Sequence, residues 1–78
     1  MLIISQDKKS VVIVENITQI YVEQIGEDDS YGIFCDYGIG VTRVAVYSSE
    51  ERCMEELKRF AYYYKNEDRF EMRKEEGC

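Results

Sequence analysis

Histidine is absent from this chain of 78 residues, and so are tryptophan and proline. Histidine is the commonest general base and the commonest zinc ligand. Without it, neither Ser-His-Asp nor Cys-His machinery can be assembled from this chain alone. Cysteine is sparse: Cys35, Cys53 and Cys78, an odd number with no Cys-x-x-Cys pair. That spacing reads as three reduced thiols rather than as a disulfide framework or a zinc knuckle, and it fits a cytoplasmic protein. No apolar run approaches the ~20 residues of a membrane span. The apolar opening Met1-Leu2-Ile3-Ile4 gives way at once to Ser5-Gln6-Asp7-Lys8, too short and wrongly flanked for a signal peptide. Basic residues are outnumbered, 10 against 16 acids, for a net charge of −6. Direct binding to nucleic acid asks for the opposite sign.

What is present describes one small globular domain. The composition is 45% hydrophobic and 33% charged, too apolar for a disordered chain. A domain of this size buries only about 60% of the surface it exposes when unfolded, so its core is thin. Residues 1–47 hold seven acids and three bases, a net −4, and residues 48–78 hold nine and seven, a net −2.

Leu2-Ile3-Ile4 and the β-branched run Val11-Val12-Ile13-Val14 read as two strands of a hairpin around a polar turn. A third strand is expected over 17–25, with a helix over 15–24 as its alternative. Tyr31 to Tyr37 and Val41 to Tyr47 form a second hairpin across Gly38-Ile39-Gly40. In the last strand Val44 and Val46 share one face. Ser48 caps a helix, with Glu51 at capping-box spacing and acids suited to the helix dipole. That helix runs to about residue 65 or 66, with Cys53, Met54, Leu57, Phe60, Ala61 and Tyr64 as its apolar stripe. The fold expected is α+β: a small antiparallel sheet of four to five strands, with one C-terminal amphipathic helix packed on one face. Residues 1–66 make the domain, and the densely charged 67–78 are a tail or a helix extension. Apolar residues on both parities of the strands leave one sheet face for a second copy, so a homodimer is expected.

Two surface features are candidates for binding. The acids Glu23, Glu27, Asp28, Asp29 and Asp36 surround or follow one loop. Only fragments of a calcium-loop pattern are there, so no metal and no cofactor is expected. Carboxylates also pair with the Arg and Lys forks that otherwise hold phosphate. Tyr62, Tyr63 and Tyr64 are consecutive, ~100° apart on a helix. If Tyr64 faces the core, Tyr62 and Tyr63 point outward, where tyrosine is typical of contact surfaces. Cys53 near a helix N-terminus is the one conceivable nucleophile, but Glu50, Glu51, Glu55 and Glu56 around it oppose a thiolate.

The stretch Ile4-Ser5-Gln6-Asp7-Lys8, with Val46-Tyr47-Ser48-Ser49-Glu50-Glu51-Arg52 and the later Leu57, resembles short uncharacterised proteins of phages and prophages of Gram-positive bacteria. The resemblance covers roughly residues 1–60, and Cys53 stands where that pattern commonly has alanine. It implies a small accessory protein of a mobile element working in the bacterial host cytoplasm, and among such proteins are inhibitors of host defence such as anti-CRISPR proteins. The expectation is therefore a non-enzymatic protein that binds and inhibits a host protein, for instance a CRISPR or other defence nuclease that itself binds nucleic acid. Glu23, Glu27, Asp28, Asp29, Asp36, Tyr62 and Tyr63 would make the contact, with no membrane and no direct nucleic acid involved. The alternatives are a protein sequestering a nucleotide signal in a pocket at a dimer seam, and a structural dimeric adaptor.

Overall fold

In the computed structural model, which describes residues 1–27, 29–64 and 66–75, six strands form two three-stranded sheets beside one α-helix. The α+β class is as expected, but the single sheet divides in two. The first sheet has the order β2-β1-β6, from β1 (Leu2–Ile4), β2 (Val11–Ile13) and β6 (Arg69–Glu71). The second is a meander of β3 (Gln19–Ile25), β4 (Ser30–Asp36) and β5 (Val41–Tyr47). Helix α1 (Glu50–Tyr63) packs on all three strands of the meander.

β1 and β2 pair antiparallel, Leu2 opposite Ile13 and Ile4 opposite Val11. Their turn holds itself together. Ser5 Oγ donates to Asp7 Oδ1 (2.6 Å), Asp7 Oδ1 also accepts from the Lys9 amide (2.9 Å), and Lys8 takes a positive φ of 62°. A one-turn 3₁₀ helix at Val14–Asn16 then redirects the chain, and the alternative of an α-helix over 15–24 does not form. Strand alternation sends Val12 and Val14 into the core and leaves Val11 and Ile13 outside.

The apolar core is one cluster shared by both sheets: Ile3, Val12, Ile33, Cys35, Val44, Tyr47, Cys53, Phe60, Phe70 and Met72 belong to it. Val44 and Ala45 are both buried although adjacent, because the β4–β5 register shifts between Ile33 and Phe34. Ile33 faces Ala45 and Phe34 faces Arg43, so Val44 is the extra residue of a bulge. Val44 and Val46 therefore do not share a face in the simple way that strict alternation suggests.

Three further expectations are corrected. The N-cap is Ser49, not Ser48: Ser49 Oγ accepts from the Arg52 amide at 3.2 Å. The buried helical residues are Cys53, Glu56 and Phe60, with Leu57 and Tyr63 packed beside them, while Met54 and Tyr64 are exposed. The stripe is thus turned by about one residue from the expected one, and Tyr63 rather than Tyr64 faces inward. Finally, residues 69–71 neither fray nor extend the helix. The amides of Asn66 and Glu67 both donate to the Tyr63 carbonyl, and the chain turns back to lay β6 parallel to β1, Leu2 opposite Arg69. Phe70 and Met72, two apart as strand alternation requires, are 3% and 2% exposed.

Candidate functional site

The predicted acids divide between the two ends of the meander. Tyr31 of β4 lies opposite Tyr47 of β5, so the β3–β4 turn sits beside the start of the helix. Glu27 and Asp29 are exposed in that turn, and Glu50 and Glu51 are exposed in the first helical turn. Glu23 is exposed on the sheet face opposite Ile20 and Val22, which pack on the core. Among the described residues none of these five carboxylates takes part in an ion pair, whereas Lys8, Arg52, Arg59 and Arg73 are all held in internal ones. Asp28 lies outside the described residues.

Asp36 belongs to the other end, six residues along β4, roughly 20 Å away at strand rise. Its Oδ1 accepts from the Gly38 amide (2.8 Å) and its carbonyl accepts from the Thr18 amide (2.7 Å). Asp36 is a turn-building residue there. The tyrosines are also apart from the acidic end, since α1 runs ~20 Å back along the sheet from its start. Tyr62 is 76% exposed, and its ring meets Tyr63 edge-on at 5.2 Å. Tyr63 itself is half-buried against Phe70, 6.4 Å between ring centroids. Of the predicted set, the structure therefore brings together Glu23, Glu27 and Asp29, joins them to Glu50 and Glu51, and leaves Asp36, Tyr62 and Tyr63 elsewhere.

The buried polar groups serve the fold. Glu56 is 2% exposed on the helix face that meets the segment around β6. Arg59 grips it with both arms, Nε to Oε1 at 3.1 Å and Nη2 to Oε2 at 2.7 Å. The Arg73 amide donates to Oε2 at 2.8 Å and Arg73 Nε to Oε1 at 3.1 Å. Burial opposes the charged carboxylate, but the hydrogen bonds from Arg59 and Arg73 outweigh it and hold its pKa below the ordinary 4.5. Arg59 also donates to the Glu71 carbonyl at 2.7 Å and lies over the Phe70 ring, 4.3 Å from its centroid. Tyr47 donates its hydroxyl to the Arg73 carbonyl, and burial foremost pushes that phenol up to about 12. The one sequence signal for this clamp is a carboxylate at position 56, three residues from Cys53 and four from Phe60, within the core-facing surface of the helix.

Gln6 is a second joint that its residue type does not announce. Its amide N–H donates to the Val44 carbonyl (2.7 Å), its side-chain oxygen accepts from the Val46 amide (3.0 Å), and its Nε2 donates to the carbonyls of Val46 and Arg73, each at 3.1 Å. The side chain thus imitates a neighbouring strand along the free edge of β5.

The thiols of Cys35 and Cys53 are fully buried, and burial pushes each up to about 11. Glu75 and Glu50 add to the effect at Cys53. Both stay protonated at neutral pH, closed to solvent. Cys78 lies outside the described residues. No helix among the described residues is long and apolar enough to cross a membrane.

The end that carries Asp36 also carries an uncharged groove of about 690 Å³ with mixed apolar and neutral polar lining. One wall is β2 and the turn after it, with Ser10, Val11, Val12, Ile13, Asn16 and Ile17; the other is Tyr37, Ile39 and Thr42 from the β4–β5 turn. No charged residue lines it. Ile39, 97% exposed, stands at its rim. The exposed side chains of β2 were legible as a two-parity apolar run, but the juxtaposition with Ile39 comes from tertiary structure.

Comparison with protein-family models, with curated proteins and with solved structures finds no match to this chain.

Proposed function

We propose that this chain is a non-enzymatic protein-binding module that presents its acidic end to a basic surface of a partner. The observation that supports this reading is the end formed by Glu23, Glu27, Asp29, Glu50 and Glu51, none of which is held in an ion pair among the described residues. A basic groove that holds nucleic-acid phosphates offers the complementary Arg and Lys forks. In the context implied by the resemblance to phage accessory proteins, the partner is a host protein of that kind, a defence nuclease for example, and occupancy of its groove inhibits it. Tyr62 sits too far along the helix to share the acidic contact and is not part of this surface.

The test is affinity capture from host lysate at low and at high salt, repeated with Glu27→Lys, Asp29→Lys and Glu50→Lys combined. The expected result is a host protein retained by the wild type at low salt, released at high salt and not retained by the triple variant. Retention that survives the charge reversal overturns the reading. A nucleotide-signal sequestering role has less support, because an anionic ligand wants cations and the groove beside β2 is lined by none.

A further inference from the structure

The free edges of the two sheets are treated unequally. The Gln6 side chain occupies that of β5. β6 presents Arg69 and Glu71, and β3 carries Gln19, Glu23 and Gln24. Charged residues and blocking groups of these kinds are the usual protection against strand pairing. β2 has none: it reads Val11-Val12-Ile13 and lies at the end of its sheet.

The pairing pattern shows which of its backbone groups are free. The Ser5 amide donates to the Ser10 carbonyl and the Val14 amide to the Met1 carbonyl. In antiparallel alternation the hydrogen-bonded pairs on this ladder are therefore Ser5 with Ser10, Ile3 with Val12 and Met1 with Val14. The N–H and C=O groups of Val11 and Ile13 point the other way, to the open edge. Their side chains are 57% and 49% exposed, and Leu2, opposite Ile13, is 40% exposed. An occupant of this edge should be extended, uncharged and β-branched.

We propose that the occupant is β2 of a second copy of this chain, paired antiparallel about a twofold axis at Val12. In that register Val11 of each copy faces Ile13 of the other. Each such pair exchanges two hydrogen bonds, four in all, and the two three-stranded sheets become one of six. The side chains of Leu2, Val11 and Ile13 from the two copies form one apolar face, flanked by Ile39. Self-complementarity decides for a second copy: β2 is itself extended, uncharged and β-branched, and two copies of a chain with net charge −6 repel least where the lining carries no charged residue. The seam is also at the end opposite Glu27 and Asp29, so the acidic ends stay exposed. The proposal does not depend on the function proposed above.

The test is the mass in solution by light scattering and sedimentation from 1 to 200 μM, with hydrogen exchange at the Val11 and Ile13 amides. The expected result is twice the 9.2 kDa of the chain, undiminished at high salt because the seam carries no ion pair and salt screens the repulsion between two acidic copies, with both amides slowed as dimer accumulates. Val11→Lys and Ile13→Lys, separately, should weaken association at least 10-fold. Their side chains are already outside the core, and circular dichroism checks that the fold persists. Glu27→Lys should not weaken association. A wild type that stays monomeric at 200 μM overturns the proposal. So does a dimer that Ile13→Lys leaves intact, or a monomer that carries an apolar small molecule in the groove.

Discussion

The two ends of the meander are built from neighbouring stretches of one chain, and they differ in what they leave unsatisfied. At the end where β3 turns into β4 and the helix begins, the unsatisfied quantity is charge. At the end where β4 turns into β5, beside β2, it is apolar surface and backbone hydrogen bonding. A charge contact is long-ranged and screened by salt, whereas apolar burial is short-ranged and nearly salt-independent. One molecule can therefore offer two contacts that respond to different conditions, even though its average composition suggests only an acidic domain.

The clamp at Glu56 ties the helix of the acidic end to the segment around β6, which belongs to the sheet of β2, so its loss should blur the comparison most. Glu56→Ala leaves the half-buried Arg59 without its carboxylate, holding only the Glu71 carbonyl and the Phe70 ring, and releases the Arg73 amide. A loss of about 3 kcal/mol is expected, the scale for breaking a buried ion pair, read as a lowered midpoint in urea denaturation. The replacement should disturb both surfaces together.

Acid should reach the same clamp more gradually. The Glu56 carboxyl titrates below its ordinary 4.5 in the folded state. Its contribution is therefore complete above about pH 4.5 and is lost as pH falls through the folded-state value. Asp7, lowered by the Ser5 hydroxyl, Glu15, lowered by the terminal amine, and Glu71, lowered by Lys8, shift in the same direction. Urea midpoints measured from pH 7 to pH 3 should fall only in the acid half of that range, and Glu56→Gln should flatten the fall.

Gln6→Ala would sharpen the comparison between edges. It removes the side chain that blocks β5 and should cost about 1–2 kcal/mol for hydrogen bonds lost at a partly buried joint. It should also add self-association along β5, seen as species larger than those of the wild type in sedimentation. Ser49→Ala, which removes the helix cap beside the acidic end, should cost about 1 kcal/mol. The smallest effect is expected at Tyr62, where Tyr62→Ala should stay within about 0.5 kcal/mol and leave both contacts intact.

The local elements were legible because local rules decide them. The β1–β2 and β4–β5 hairpins follow from β-branched runs separated by polar or glycine-bearing turns, and the helix follows from its acidic, capped start. The division into two sheets was not legible. It depends on Phe70 and Met72, only two large apolar residues in a charged stretch, returning to a strand far away in sequence. The bulge at Val44 and the clamp at Glu56 depend on partners that no local window contains. The inward turn of Tyr63 has the same origin: β6 supplies Phe70 on that side of the helix. Among candidate site residues, Glu23, Glu27 and Asp29 could be grouped because they are close in sequence, whereas Glu50 and Glu51 join them only through the pairing of β4 with β5. Asp36 and the tyrosines were grouped with these acids by residue type, and topology separates them.

The parallel pairing of Leu2 with Arg69 bears on the order in which the chain folds. The meander and the helix rest on contacts between neighbouring stretches and can organise first. The first strand cannot complete its sheet until β6 docks, because closing so long a loop must follow the local pairings that shorten it. Until then β1 and β2 are a lone hairpin, marginal by itself in water, with the apolar Val11-Val12-Ile13 edge already exposed. A chain cut before Arg69 would thus keep the meander as its one completed sheet, with its N-terminal hairpin open to capture by chaperones.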